Sequence, residues 1–413
     1  MEILKTNVSG PSVKEWPRSC IAPIITPNVP ASNSGVTVSD DVSSDSATSA
    51  TQTAAEGLNP MRSVHTSNFS QILAHIGASL LVTTYQAGRL VILRDDGGVL
   101  NTHFRMFPKP MGMALAPNKL AIGTEMEIRE YHNVPAVSQK LDPPGKHDVC
   151  FLPRTAHGTG DVQIHEMAWI DDEVWFVNTR FSCLCTRSHN YSFQPRWRPP
   201  FITQLSPDDR CHLNGLCAVA GRPKYVTALG ETNESGGWRQ NKRSGGILMD
   251  VDSNEIICRG LSMPHSPRWY RNRLWVLNSG TGGFGTIDLQ TGAYQSITEL
   301  PGFTRGIDFF GPLAFIGLSQ VRESAVFSGI PIAERPPEER ACGVWVVNIE
   351  TGETIAFVKF EDAVQEIFAV QVLPNSRFPD LVNENHDIIA GSFVLPDESL
   401  AEVPESLRHL PPS

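Results

Sequence analysis

Several things this chain lacks narrow its chemistry. None of its eight cysteines falls in a Cys-x-x-Cys pair, which excludes zinc knuckles and thioredoxin-type redox motifs. Apolar runs are short: nothing near the N-terminus has signal-peptide length, and nothing later approaches the ~20 residues of a membrane span. Positive charge is in deficit. A net charge of −10 argues against the counterion release on which non-specific nucleic-acid binding depends. P-loop, H-E-x-x-H and G-x-S-x-G patterns are all missing. Gly280-Thr281-Gly282-Gly283-Phe284-Gly285 fits G-x-G-x-x-G, but an extended run follows where a dinucleotide site needs a helix, so it reads as a hairpin turn. These exclusions, with cysteines such as Cys217 and Cys258 set in apolar runs, predict a cytoplasmic protein with reduced thiols.

What is present is turn chemistry. The chain has 33 glycines and 31 prolines, too many for a protein built on long helices. Three segments repeat one pattern, Asx–apolar–polar–Ser/Thr–Gly/Asn: Asp250–Asn254, Asp288–Gly292 and Asn348–Gly352. Each lies between extended runs. The Asx side chain is suited to bond the backbone two residues on, and the last position suits a left-handed residue. Recurrence of one hairpin implies a repeated supersecondary unit.

Six segments align as the first strand of such a unit, beginning near Met111, His165, Leu213, His265, Thr304 and Glu366. Their spacing of roughly 40 to 60 residues is the period of a four-stranded propeller blade with variable loops. The Glu366 segment opens a blade that little follows, whereas Leu80–Thr83, Leu90–Leu93 and Leu100–Phe104 are strands without a first partner. A blade shared between the chain ends would close the ring without an open edge. The expectation is an all-β, six-bladed β-propeller over residues 68–400. A seventh blade would require Asp387–Ala390 to open another sheet, and a β-sandwich is the distant alternative. Residues 1–67, rich in Ser, Thr, Ala, Asn and Pro from about 27 to 60, read as a disordered leader, and 401–413 as a loose tail. A short helix is expected from Asn68, with that residue as its cap.

The runs His165-Glu166-Met167-Ala168-Trp169, His212-Leu213-Asn214-Gly215-Leu216 and Met263-Pro264-His265-Ser266-Pro267-Arg268-Trp269 resemble those of a bacterial family of conserved hypothetical proteins carrying a domain-of-unknown-function label. Gly236-Gly237-Trp238-Arg239 and Tyr85-Gln86-Ala87-Gly88 extend the match over roughly residues 68 to 375. The resemblance implies a β-propeller-like domain and brings no activity, so function rests on the residues.

Inner strands of a propeller line its axis, so the starts of the six segments are the candidate site. His165, His212, His265 and Glu366 form a set that would suit a divalent metal ion, with Glu166 as an acid or base. Asn214 and Arg305 would contact a ligand. His157, on a glycine-rich turn upstream of His165, is a second candidate acid or base. The long segment Gly230–Arg243 reads as a lid or anion clamp through Arg239 and Lys242, and Ser188–Arg198 as an aromatic and basic loop that packs on a neighbouring blade. Trp169, Trp175, Trp269 and Trp275 form two aligned pairs expected in the core between blades. The favoured function is binding of a small polar molecule or peptide at a histidine-rich axial pocket, with metal-assisted hydrolase or lyase chemistry as its extension. The rival is a non-catalytic scaffold that docks another protein.

Overall fold

The computed structural model describes residues 61–321 and 328–405. Six antiparallel sheets, the blades, carry almost all of the regular structure. Blade one runs outward through Met113–Ala116, Lys119–Gly123, Glu127–Asn133 and Val149–Gly158. Blade two is Ile164–Ile170, Glu173–Asn178, Cys183–Thr186 and Gln194–Trp197; blade three is Leu213–Val219, Arg222–Ala228, Gly246–Asp250 and Ile256–Leu261. Blade four is Pro264–Tyr270, Arg273–Asn278, Gly283–Ile287 and Tyr294–Glu299; blade five is Phe303–Phe310, Leu313–Ser319, Cys342–Asn348 and Thr354–Phe360. Blade six joins Ala369–Pro374 to Ala78–Thr84, Arg89–Asp96 and Val99–Met106. All six expected first strands are the innermost ones, and each touches the next in a closed cycle from blade one to blade six and back. This is the six-bladed propeller, and blade six is the blade shared between the chain ends.

The three Asx hairpins join the third and fourth strands of blades three, four and five. Backbone N–H groups of Asp252, Gln290 and Glu350 donate to Oδ1 of Asp250 (2.8 Å), Asp288 (2.8 Å) and Asn348 (2.9 Å). Two of these hairpins also rest on the preceding blade. A Cβ at Gly292 (φ +72°) would lie 2.2 Å from the Ile257 carbonyl oxygen, and one at Gly352 (φ +76°) 3.0 Å from that of Ile297. Glycine is needed there both for its left-handed backbone and for the close approach.

The core lies in wedges between adjacent blades. Blades one and two enclose Ile128, Val174 and Phe176; blades four and five enclose Trp275, Phe284, Ile316 and Val347. Trp275 and Trp175 pack in these wedges as expected, whereas Trp169 and Trp269, half-buried, also line a cavity of about 200 Å³ at the lower end of the axis.

Other expectations are corrected. Asp387–Ala390 opens no seventh blade: it lies in a short helix, His386–Ala390, whose Ile388 N–H donates to the Asn385 side chain at 3.1 Å. The β-sandwich is likewise excluded. The expected leader is too long at its C-terminal end, because Ser63–His65 pairs with Phe360–Val358 as a fifth strand of blade five; residues 1–60 lie outside the described residues, as do 406–413 of the expected tail. Asn68 precedes the helix Phe69–Ile76, but its amide does not cap it; Nδ2 donates instead to the Ile355 carbonyl at 2.9 Å. Gly280–Gly285 is followed by strand residues, not a helix.

Pro379–Leu381 adds a parallel fifth strand to blade one, and a buried charge network ties it to blade six. Arg105 Nη2 donates to both oxygens of Asp380 at 2.7 Å, His103 Nε2 lies 3.1 Å away, and Arg94 donates to the Pro379 carbonyl at 2.5 Å. Burial pushes the Asp380 carboxyl up, but His103 and Arg105 outweigh it and hold it well below the usual range. A depressed carboxylate contributes stability that is complete above the unfolded value of about 3.9 and is lost as pH falls below it. Asp380→Ala should therefore cost about 3 kcal/mol at neutral pH, because it strands buried cations; the gap from wild type, read from urea unfolding, should narrow below about pH 4. A chain beginning at residue 68 should melt lower than one beginning at residue 61, a difference that calorimetry would assign to the strand Ser63–His65.

Candidate functional site

The upper end of the axis, where loops lead into the inner strands, gathers three imidazoles by a device used twice. Gln163 (φ +56°) and Met263 (φ +46°) have left-handed backbones two residues before His165 and His265. Their carbonyls accept from Nδ1 of those histidines at 3.0 and 2.9 Å. A hydroxyl fourteen residues on completes each bond: Thr179 Oγ1 lies 2.9 Å from His165 Nδ1, and Ser279 Oγ 3.1 Å from His265 Nδ1. Thr179 spends its own hydrogen on the Leu213 carbonyl at 2.7 Å, so toward His165 it can only accept. A carbonyl is acceptor-only, so both rings carry their proton on Nδ1 and leave a lone pair on Nε2.

His212 reaches the same tautomer through a carboxylate. Its Nδ1 lies 3.0 and 2.9 Å from the two oxygens of Asp209, which also accepts the Trp238 indole N–H at 2.9 Å. The His212 ring lies between His165, 4.8 Å away centroid to centroid, and Trp238, 4.5 Å away. His165 and His265 lie further apart, at 6.4 Å. Among the described residues, no protein group bonds Nε2 of any of the three.

Arg305, on the inner strand of blade five, faces this group. Its guanidinium carbon sits 3.5 Å from the centroid of Phe368, whose ring stands edge-on to His165 at 5.0 Å. No acceptor among the described residues takes a hydrogen bond from that guanidinium. Burial lowers its pKa to about 10, partly offset by the charges of Glu366, Glu166 and Tyr85. Burial, and then Arg305 itself, hold His165 and His265 well below the ordinary histidine value, so both are neutral at pH 7.

The axis therefore brings together His165, His212, His265 and Arg305. Glu366 stands within electrostatic reach of Arg305 without bonding it. The remaining candidates are engaged elsewhere. Glu166 is buried in an ion pair with Arg268 at 2.8 Å, on the opposite side of its strand from His165. Asn214 spends its amide between blades, donating to the Pro264 carbonyl (2.9 Å) and accepting from Thr227 (2.7 Å), so it is not a free ligand contact. His157 is far from the axis on the outer strand of blade one, donating to the Ser192 carbonyl at 3.0 Å. That contact docks the Ser188–Arg198 loop on its neighbour, as expected.

The Gly230–Arg243 loop approaches the site through Trp238, not through its cations. Arg239 lies over the Trp238 ring at 4.3 Å and 3.6 Å from Asp209, while Lys242 reaches Ser328 at 3.3 Å. Through Trp238 the loop covers His212, while Arg239 and Lys242 each contact protein groups. Sequence reading missed Gln163, Met263, Thr179, Ser279, Asp209, Trp238 and Phe368 as parts of the site. The signal was available for four of them, since the offsets of −2 and +14 from His165 recur at His265.

Among the described residues, no group of three or more His, Cys, Asp or Glu side chains is arranged to hold a metal ion, and no helix is long and apolar enough to cross a membrane. Among solved structures the chain is similar to one from a nidogen/laminin complex (10% identity, TM-score 0.46, covering 72% of this chain and 99% of that one). It is similar also to a protein of unknown function from Bacteroides caccae (10% identity, TM-score 0.45, covering 72% of this chain and 98% of that one). No curated protein matches it. The model of one family, Domain of unknown function (DUF4915), matches residues 67–382, and the chain belongs to that family.

Proposed function

We propose that the upper axial pocket binds a small organic anion that also carries hydroxyl or N–H groups. The observation that carries this reading is Arg305, a charged guanidinium near the neutral imidazoles of His165 and His265, from which no acceptor among the described residues takes a hydrogen bond. The guanidinium is partly buried, and a ligand carboxylate or phosphate would pair it through charge-assisted bonds. The Nε2 lone pairs of neutral His165 and His265 are acceptors, and they would select a ligand rich in donors.

A shared metal ion is the poorer occupant. Two imidazoles on one tetrahedral ion, with metal–nitrogen distances of ~2.0–2.1 Å, place their ring centroids about 5 Å apart. The His165–His212 separation of 4.8 Å fits this, but the 6.4 Å between His165 and His265 does not. The Arg305 charge, which already disfavours protonation of two of the rings, disfavours a cation for the same reason. The described cysteines are all unpaired and buried, which supports a cytoplasmic setting.

Isothermal titration with a panel of small carboxylates and sugar acids is the test. Arg305→Met should abolish binding of whichever member binds wild type, with a nearly unchanged melting temperature, because a partly buried cation that no described residue pairs is replaced by an apolar side chain of similar length. A variant that melts several degrees lower yet still binds would assign Arg305 to structure.

The same substitution removes a positive charge near His165 and His265. Their pKa values should rise toward the ordinary histidine range, as read from the ring-proton shifts of selectively labelled protein. Treatment with a chelator should leave the affinity unchanged; a loss that zinc restores would return the histidines to a metal-ligating role.

A further inference from the structure

Asp209 and His212 are both held in left-handed backbone conformations, at φ +50° and +51°. Neither is glycine, so each carries a steric cost that the surrounding structure must overcome. The result is a short-range dyad. A carboxylate three residues upstream grips Nδ1 with both oxygens, and a buried indole N–H fixes that carboxylate from its other side. The imidazole can turn neither way, being flanked by His165 and Trp238. Its remaining nitrogen, Nε2, is bonded by no described residue and lies at the end of the axis that Arg305 faces. A held base and a cation that both act on His165 and His265 are the pair needed to deprotonate a nucleophile and to receive the negative charge its attack creates.

Building on the anion-pocket reading, we propose that the axial site hydrolyses a small ester, with His212 as general base, Asp209 as its positioning residue and Arg305 as the oxyanion partner. Water bound against Nε2 of His212 loses a proton to that nitrogen as its oxygen bonds the acyl carbon. The carbonyl π electrons move onto oxygen, giving a tetrahedral oxyanion that the Arg305 guanidinium stabilises. Collapse restores the carbonyl and breaks the bond to the leaving oxygen, which takes the proton back from His212. Ester and water become acid and alcohol, and no further reactant is required. Asp209 keeps accepting from Nδ1 throughout and stabilises the transient imidazolium. Neutral His165 and His265 accept hydrogen bonds from the substrate or the water. Trp238 excludes bulk solvent from the dyad.

The test uses the full chain and p-nitrophenyl acetate, followed by nitrophenolate release at neutral pH. Wild type should turn over above the buffer rate, and His212→Asn should fall by about a hundredfold or more. Asp209→Asn should lower kcat with KM retained, and Asp209→Glu should recover part of the loss, which a purely structural role would not predict. His157→Asn, on the outer strand of blade one, should match wild type. If the Asp209 variants fail to fold, Trp238→Phe, which removes only one hydrogen bond to that carboxylate, should still reduce kcat. Equal rates for wild type and His212→Asn, or no turnover above buffer in wild type, would overturn the proposal. If carboxylate titration still shows Arg305-dependent binding in that event, the pocket reading stands and only the hydrolysis is lost. If no anion binds at all, the pocket reading itself has failed.

Discussion

The structure depends on one strand pairing across nearly the whole sequence. Ala369–Pro374 pairs antiparallel with Ala78–Thr84, from Ala78 against Pro374 to Thr83 against Ala369. Without it, blade six lacks an inner strand and blade one a neighbour, so the six inner strands no longer enclose an axis. Side chains reinforce the joint: Thr83 accepts from Ala369 N–H at 3.0 Å and donates to the Met111 carbonyl at 2.6 Å, linking blades six and one. Asp308 of blade five accepts from Val372 N–H at 2.8 Å on the other side. The closing strand is therefore bonded to its own sheet and to a neighbouring blade.

Several buried polar side chains along the inner strands and the clasp are paired: Glu166 with Arg268, Asp380 with Arg105, and Asn214 between two blades. The upper end of the axis is arranged differently. Every imidazole is anchored through one nitrogen and left open at the other, and the cation opposite stacks on an aromatic face without a carboxylate. Departures from local consistency of this kind concentrate at functional sites, because stability alone would remove them. Two blades repeat the carbonyl-and-hydroxyl anchor while the blade between them replaces it with Asp209. The exception within the repeat is His212, whose Nδ1 meets a carboxylate where the other two meet a carbonyl and a hydroxyl.

How much of this was legible follows from the range of each signal. Hairpins such as Asp288–Gly292 are local, and the bonds that define them lie within five residues. The inner strands were legible because the repeat aligned them, and blade six because two incomplete sets of strands complemented each other. Asn214 was misread for a reason specific to strands: an inner-strand side chain faces either the axis or the next blade, and a bulge between Leu213 and Gly215 alters the alternation. Asp387–Ala390 has the apolar content of a strand, and only the Asn385 cap turns it into a helix. The Asp209–His212 pairing was hidden because positive φ at both positions brings together side chains that an extended or turn conformation would separate.

Sharing blade six between the chain ends also orders events during synthesis. The strands Ala78–Thr84, Arg89–Asp96 and Val99–Met106 leave the ribosome early and can form a three-stranded sheet at once. The inner edge of that sheet, the row of backbone groups on Ala78–Thr84, then waits for a partner some 290 residues downstream (Ser79 and Ser376 hydrogen-bond across 297). At ~5–20 residues per second this is a delay of tens of seconds. For that interval the nascent chain presents the unpaired edge of a strand that is buried throughout in the finished fold, and any other extended segment competes for it. The last inner strand thus acts as a timer as well as a clasp: ribosome pausing anywhere between the codons for Thr84 and Ala369 lengthens the period in which this chain is open to mispairing.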